Sequence, residues 1–223
     1  MDIQMVAFDV AGTTVQDGGL VLRAFKKAFS QIAPEQWLTK ESEWTQYAVD
    51  TMGQSKIEVF TAILGDASLA QKATEAFEEA YLDIVLQEGI DEIPGAGDLL
   101  VALRDAGVPT ALTTGFSRAT LNAILRSLDW GESIEETVTP GEVGAGRPSP
   151  KMLQRVAAAL EVTDPKACVV VGDTQSDMQA GVAFGAGRVV GVLSGTHNMD
   201  QLLAAGATDV VNSIADLQDL LFI

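Results

Sequence analysis

Six short apolar runs, rich in valine, isoleucine and threonine, recur along this chain and constrain its fold more than any other feature. They are residues 3–8, 108–112, 137–139, 168–171, 189–192 and 209–211. Each run has the length and composition of a buried strand. Segments with helical spacing of their apolar residues separate most of these runs, for example residues 98–106, 117–128 and 150–160. This alternation predicts an α/β fold built around a parallel sheet.

The stretch from residue 16 to residue 93 interrupts the alternation, because its apolar residues follow helical spacing throughout. Gly18-Gly19 stands near its start and Pro94-Gly95-Ala96-Gly97 follows its end, and both segments have the composition of turns. We therefore predict two domains. Residues 1–15 and 94–223 form a Rossmann-like α/β core, and residues 16–93 form a small α-helical cap inserted after the first strand.

The net charge restricts the partners of the chain. Its 14 Lys and Arg residues against 31 Asp and Glu residues give a formal charge of -17. Nucleic-acid backbones and anionic membrane surfaces both attract clustered Lys and Arg, so we expect neither partner. The single cysteine, Cys168, excludes an internal disulfide. Because the first residues also lack the basic and apolar regions of a signal peptide, we expect a cytoplasmic protein.

Acidic side chains follow two of the predicted strands. Asp9 comes directly after the first strand, and Asp173 and Asp177 come soon after residues 168–171. Ligand sites in open α/β sheets lie outside the carboxyl ends of the strands, so these three carboxylates should meet there. Such a cluster repels itself unless a cation neutralises it, and an all-oxygen site suits Mg²⁺. Each aspartate alone is more typical of a turn or a helix cap, so it is the combination that predicts a site.

Four ordered motifs carry a family resemblance. They are Phe8-Asp9-x-x-Gly12-Thr13-Thr14, Leu112-Thr113-Thr114-Gly115, Gly146-Arg147-Pro148-Ser149-Pro150 and Val171-Gly172-Asp173-x-x-x-Asp177. The set resembles the motifs of the haloacid dehalogenase superfamily, and its spacing covers essentially the whole chain. The helical insertion after the first strand resembles the smaller cap type of that superfamily. The resemblance implies a hydrolase whose site lies between core and cap.

The same resemblance implies a role for each motif residue. Asp9 is the expected nucleophile, which becomes an aspartyl phosphate. The expected Mg²⁺ ligands are Asp9, the Ala11 carbonyl, Asp173 and Asp177, the last directly or through water. The expected phosphate- and substrate-binding residues are Gly12, Thr13, Thr113, Thr114, Gly115, Arg147 and, in the cap, Met52. Elementary chemistry agrees with these roles, because a carboxylate attacks an anionic phosphoryl group only when a metal screens the repulsion.

Ala11 stands where most phosphatases of the superfamily have a second aspartate that acts as general acid. Alanine cannot transfer a proton, so hydrolysis of an ordinary phosphate monoester would lose assistance worth about 10²- to 10⁴-fold. Residues 9–15, together with Arg147 in place of the commoner lysine, resemble the phosphonatase branch, which also has alanine at this position. In that branch a cap lysine condenses with the substrate aldehyde. The cap segment of residues 52–57 matches its Met-Gly-x-x-Lys pattern, which implies this role for Lys56.

The resemblance therefore predicts a hydrolase that cleaves the C–P bond of phosphonoacetaldehyde or a related carbonyl phosphonate. A protonated imine on Lys56 would accept the electron pair that a poor carbanion leaving group cannot carry away. Three departures from the phosphonatase pattern favour a related substrate. Val59 stands where that branch has a histidine, and Phe116 stands where it has an aromatic residue with a hydroxyl group. A cysteine of the first loop is replaced at about Gly19.

Other readings remain open at this point. The first is a phosphate monoester phosphatase of the phosphoglycolate phosphatase type, in which Lys56 binds a substrate oxyanion. The others are a metal-free dehalogenase and a catalytically silent binding protein. A homodimer formed through the cap is an expectation at the level of the family. We also expect the only histidine, His197, to lie at the surface and Cys168 to lie in the core.

Overall fold

The computed structural model describes residues 3–128, 130 and 133–221. Six parallel strands form one sheet in the order β3-β2-β1-β4-β5-β6. Their bounds are β1 Met5–Phe8, β2 Thr110–Thr113, β3 Glu136–Val138, β4 Cys168–Gly172, β5 Arg188–Val192 and β6 Asp209–Val211. All six predicted strands are therefore present, and the predicted α/β fold class is confirmed.

The central position of β1 sets the geometry of the sheet edge. In the parallel register, Phe8 lies opposite Leu112 of β2 on one side and Val171 of β4 on the other. The carboxyl ends of these three strands therefore reach the same edge together. Residues that follow them in sequence, Asp9 and Asp173 among them, become neighbours in space.

Helices cover both faces of the sheet, because the strands are apolar on both sides. Along β4, Val169 and Val171 belong to one buried cluster, whereas Cys168 and Val170 belong to the other. Seven helices lie in the part of the chain from residue 96 onward. They are α5 Ala96–Asp105, α6 Arg118–Ser127, α7 Pro140–Val143, α8 Lys151–Ala159, α9 Gln175–Phe184, α10 Met199–Ala204 and α11 Leu217–Leu221. Burial raises the pKa of the Cys168 thiol to about 11, so this residue is a core side chain, as predicted, and a poor nucleophile.

Four helices stand between β1 and α5, and no strand interrupts them in this fully described stretch. They are α1 Leu20–Ile32, α2 Pro34–Asp50, α3 Lys56–Leu64 and α4 Ala67–Glu88. Their shared core is aromatic: Phe29 stacks on Trp37 at 5.4 Å between ring centroids and contacts Phe60 at 5.0 Å. The helical character predicted for residues 16–93 is observed, while their assignment to a separate domain stays a prediction. Within the described residues, no helix is both long and apolar enough to cross a bilayer.

Candidate active site

Three aspartates meet at the carboxyl edge of the sheet. Asp9 follows β1, Asp173 follows β4, and Asp177 lies in the first turn of α9. One carboxylate oxygen from each lies within 4.8 Å of the others, and all three side chains are buried. The structure thus brings together the acidic residues that the sequence predicts as a cluster.

The Asp173 carboxylate is fixed by hydrogen bonds and by close backbone packing. Thr13 Oγ1 donates to Asp173 Oδ1 at 3.3 Å, and the Thr196 amide donates to Oδ2 at 2.7 Å. A Cβ atom added at Gly12 would lie 2.6 Å from Asp173 Oδ2, and one at Gly195 would lie 2.0 Å from it. Both loops therefore need glycine in order to pack against this carboxylate.

Asp177 combines a structural role with a position in the cluster. Its Oδ2 accepts hydrogen bonds from the Thr174 amide at 3.0 Å and the Thr174 hydroxyl at 2.5 Å, which completes a capping box at the start of α9. Its other oxygen, Oδ1, pairs with the guanidinium of Arg147. A side chain held by a helix cap is well placed to orient a ligand without moving.

Arg147 lies between two of the three carboxylates. Its Nη2 is 2.7 Å from Asp9 Oδ1, and its Nη1 pairs with Asp177. The side chain is 4% exposed, and its Nε has no hydrogen-bond partner in the described part of the chain. The guanidinium therefore offsets part of the cluster's charge and retains a donor for a further oxygen ligand.

The donor set fits a hard divalent cation. Three buried carboxylates share one ion-paired guanidinium, so the cluster keeps a net negative charge. Burial, together with the charge of Asp9, raises the pKa of Asp173 to about 7. Carboxylate oxygens in this arrangement are stabilised as anions when a cation binds among them, and an all-oxygen set suits Mg²⁺ or Ca²⁺ better than softer metals.

Lys56 is a buried cation at the first position of α3. It is 5% exposed, and its Nζ lies 5.4 Å from the ring centroid of Phe25 and 5.5 Å from those of Phe77 and Phe116. Among the described residues it has no carboxylate within 4.0 Å and no hydrogen-bond acceptor. Three aromatic faces therefore replace the anionic partner that a buried lysine usually has.

This environment changes the acidity of Lys56. Burial above all, and the nearby charge of Arg147, lower its pKa to about 8, although Glu78, Asp9 and Asp17 act in the opposite direction. At pH 7 roughly a tenth of the side chain is then the neutral amine, compared with a negligible fraction for an exposed lysine. The neutral amine is the form that attacks a carbonyl carbon.

The lowered pKa predicts an effect on stability. Because the pKa of Lys56 in the folded protein lies below the usual lysine value of 10.5, the buried charge destabilises the fold below pH 8, and this cost fades as the pH rises toward 10.5. The full cost corresponds to about 3 kcal/mol. We expect Lys56→Met to increase the urea midpoint at pH 7 and to lose this advantage near pH 10. The exposed Lys72→Met is the matched control, and destabilisation by Lys56→Met at pH 7 would contradict the prediction.

One small cavity joins Lys56 to the carboxylate cluster. Its lining residues are Asp9, Ala11, Asp17, Val21, Met52, Gly53, Lys56, Thr114, Gly115, Phe116, Arg147, Thr174 and Thr196. The predicted residues Gly12, Thr13, Thr113, Asp173 and Asp177 are buried just outside this lining.

The loop before α3 covers the cavity through backbone contacts with the rest of the protein. A Cβ atom at Gly115 would lie 2.6 Å from the Gln54 carbonyl oxygen, and one at Gly53 would lie 2.5 Å from Thr174 Oγ1. Gln54 also forms an isolated parallel bridge with Arg147. These contacts leave no room for a side chain at either glycine.

Gly115→Ala should disrupt this closure. Its added methyl group would meet a backbone oxygen, which cannot move as cheaply as a flexible side chain. Overpacking of this kind costs about 1–3 kcal/mol, so we expect kcat/KM to fall by about tenfold or more. Steady-state kinetics of the variant would measure the effect. Gly141→Ala is the matched control because nothing lies within 4 Å of its added atom, and equal activities for the two variants would refute the prediction.

The prediction that His197 lies at the surface is wrong. The residue is 5% exposed, its Nδ1 accepts a hydrogen bond from the Gln175 amide at 3.0 Å, and its own amide donates to the Asp173 carbonyl at 3.2 Å. Burial lowers its pKa, so the ring stays neutral. The loop that follows β5 folds back over the end of β4. The position of His197 shortly after a predicted strand is the feature of the sequence that indicates a place near the site.

A family model described as haloacid dehalogenase-like hydrolase matches residues 3–185 of the chain. The chain belongs to the haloacid dehalogenase-like hydrolase family. Hydrolases of this family generally use a divalent metal, and the three buried aspartates could bind one. The predicted superfamily and enzyme class are confirmed.

Relatives of this hydrolase have related activities. It is 29% identical over 259 residues to the phosphonoacetaldehyde hydrolase of Bacteroides fragilis, with 98% of this chain and 95% of the relative covered. It is 31% identical over 218 residues to the bifunctional riboflavin kinase/FMN phosphatase of Arabidopsis thaliana, covering 96% of this chain but only 54% of that protein, or about half its length. A phosphonoacetaldehyde hydrolase-like protein from Oleispira antarctica has the same fold, with a TM-score of 0.82 at 24% identity over 99% of this chain and 91% of the other. The phosphonatase-like resemblance is therefore confirmed.

Proposed function

We propose that this hydrolase is a Mg²⁺-dependent phosphonatase-like enzyme. Its substrate is phosphonoacetaldehyde or another small carbonyl phosphonate, whose phosphoryl group passes to Asp9 while Lys56 holds the carbonyl carbon as an imine. The observation that carries the proposal is the shared cavity. Asp9 and the buried Lys56, which forms no ion pair with any described residue, line it together, and Ala11 supplies no acid for an alkoxide leaving group.

Asp9 is suited to accept the phosphoryl group. Its carboxylate lines the cavity and is held by Arg147 at 2.7 Å. Bound Mg²⁺, held by Asp9, the Ala11 carbonyl, Asp173 and Asp177, would neutralise charge between the carboxylate and the phosphoryl oxygens. The lining residues Thr114 and Gly115 offer backbone amides to those oxygens, and Arg147 offers its Nε, which has no hydrogen-bond partner among the described residues.

Lys56 provides a route by which the carbon of the C–P bond can leave without becoming a free carbanion. The neutral amine adds to the substrate carbonyl, water leaves, and a protonated imine forms. As the Asp9 oxygen bonds to phosphorus, the electron pair of the C–P bond moves into a new C=C bond and the imine pair moves onto nitrogen. The enamine is then protonated on carbon and hydrolysed. The surrounding phenyl faces stabilise the cationic imine.

A phosphate monoester phosphatase is the second candidate, because the chain is also similar to an FMN phosphatase. In that case the Lys56 ammonium would bind a substrate oxyanion. Two observations favour the phosphonatase instead. Ala11 leaves the alkoxide without a proton donor, and burial makes Lys56 lose its proton more readily than an exposed lysine.

Trapping of the imine tests the role of Lys56. The protein is incubated with phosphonoacetaldehyde, reduced with borohydride, and digested for mass spectrometry. We expect one stable adduct on the peptide that contains Lys56 and none on the exposed Lys72. A protein that turns over phosphonoacetaldehyde but yields no adduct at Lys56 would exclude the imine mechanism.

Removal of divalent metal should stop turnover. Without a cation, Asp9 and the substrate phosphoryl group repel each other, so we expect chelation to lower kcat by at least about 10²-fold and added Mg²⁺ to restore it. Thermal unfolding gives an independent readout: saturating Mg²⁺ should stabilise the wild-type protein by a few kcal/mol, about 2.7 kcal/mol at 100 times Kd. This shift should vanish in Asp173→Asn and persist in the exposed control Asp91→Asn. Full activity in chelator would contradict a metal-dependent mechanism.

A further inference from the structure

Imine formation at Lys56 needs a group that accepts and returns protons. The titratable residues that line the cavity are Asp9, Asp17, Lys56 and Arg147. Arg147 stays charged, and Asp9 is ion-paired with it at 2.7 Å and accepts the phosphoryl group. Asp17 is the remaining candidate among these lining residues.

Asp17 is fixed beside the start of α1. Its Oδ1 accepts a hydrogen bond from the Val21 amide at 3.1 Å, and its Oδ2 accepts one from the Gly19 amide at 3.2 Å. Within the described residues no cation lies within 4.0 Å of its carboxylate. Burial is the main cause of a raised pKa for Asp17, and the charge of Asp9 adds to it, while the two backbone donors and Lys56 oppose it. The group is therefore easier to protonate than an exposed aspartate.

The other polar groups around Lys56 are already engaged or do not ionise. Glu78 accepts hydrogen bonds from the hydroxyls of Ser117 and Thr120 at the start of α6. Burial, with the charges of Asp17, Asp9 and Glu78, raises the pKa of the Tyr81 phenol further above its usual value. Val59, one turn after Lys56 in α3, is 2% exposed and has no proton to give.

We propose that Asp17 is the residue that transfers protons during imine formation at Lys56, an inference that rests on the proposed function. Asp17 removes one proton from the Lys56 ammonium and delivers it to the carbonyl oxygen as the C–N bond forms. It then removes a second proton from nitrogen and delivers it to the hydroxyl as the C–O bond breaks. The two protons and the oxygen leave as water, the C=N bond retains the positive charge, and Asp17 returns to its carboxylate form.

The rate of adduct formation tests this role. Phosphonoacetaldehyde is mixed with wild type or with Asp17→Asn, and borohydride is added after varied delays at pH 7. Asparagine keeps an oxygen acceptor for one of the two backbone amides, those of Gly19 and Val21, but cannot carry a proton. We expect the adduct at Lys56 to form about 10²-fold more slowly in Asp17→Asn. Asp66→Asn is the matched control, because Asp66 also caps a helix, α4, by accepting from the Leu69 amide at 2.8 Å.

The outcomes separate this inference from the function on which it rests. A wild-type adduct that forms equally fast in Asp17→Asn would overturn the role of Asp17 and leave the imine mechanism intact. A wild-type protein that forms no adduct would overturn the imine mechanism and the role of Asp17 with it. Thermal unfolding shows whether Asp17→Asn is folded. If it is not, Asp17→Ser replaces it, since serine also caps helices and has no carboxyl group.

Discussion

Replacement of Asp9 by asparagine is expected to abolish turnover, with kcat lower by about 10⁴-fold or more. The amide is nearly the same size as the carboxylate but cannot form an acyl phosphate with the substrate phosphoryl group. It also removes one of the two anionic partners of Arg147, whose Nη2 lies 2.7 Å from Asp9 Oδ1 and whose Nη1 pairs with Asp177. Phosphate release from phosphonoacetaldehyde measures the loss.

A second readout shows whether the loss is one of chemistry. Quenched wild-type protein should contain a hydroxylamine-labile phosphoryl group on the peptide that carries Asp9, and Asp9→Asn should contain none. The exposed aspartate Asp91 supplies the control: Asp91→Asn should keep both activity and phosphoenzyme. If Asp9→Asn kept activity within tenfold of wild type, another group would have to accept the phosphoryl group.

Lys56→Arg is expected to stop C–P cleavage selectively. Arginine keeps the positive charge but does not lose its proton in proteins, so it cannot form an imine. We expect kcat for phosphonoacetaldehyde to fall by at least about 10³-fold. Hydrolysis of acetyl phosphate should change only a few-fold, because its leaving group needs neither an imine nor an acid. Steady-state rates with the two substrates measure the contrast.

The contrast also separates the two candidate functions. If Lys56 served only to bind an oxyanion, Lys56→Arg would retain much of its activity toward both substrates. Lys72→Arg, at an exposed position of α4, controls for a general effect of the substitution. Equal losses on both substrates would indicate damage to the cavity instead of loss of the imine.

Much of the site follows from sequence because strand ends are local features. Asp9, Asp173 and Asp177 each stand just after an apolar run, and a parallel register makes such positions neighbours. The lysine environment is different. Phe25, Phe77 and Phe116 come from α1, α4 and the loop after β2, and only the packing of these elements places their rings around Lys56. Sequence patterns predict that such apolar residues are buried, but they do not predict that the three rings surround the charged group of Lys56.

Two further residues show the same limit. Asp17 stands directly before Gly18-Gly19 and has the sequence context of an ordinary residue before a helix. Only the folded chain places it in the lining of the cavity together with Lys56 and Asp9. The polar loop around His197 predicts exposure, whereas the residue is buried because that loop returns to the end of β4. Both residues depend on contacts between segments distant in the chain.

The net charge of -17 is not uniform in its effect, because charges of both signs meet at the cavity. Part of it belongs to the buried carboxylates, which Arg147 offsets and a divalent cation would balance further. Lys56 adds a second positive group within the same cavity. The overall field slows the encounter with an anionic substrate, and added salt should screen that repulsion.

Phosphorus NMR of the reaction with phosphonoacetaldehyde tests C–P bond cleavage most directly. With Mg²⁺ present, we expect the phosphonate resonance to disappear as inorganic phosphate and one equivalent of acetaldehyde form. Phosphoglycolate, an ordinary monoester, should react with a kcat/KM lower by about 10²-fold or more, because Ala11 offers its leaving group no proton. Turnover of phosphoglycolate beside an unchanged phosphonate resonance would contradict the proposed function.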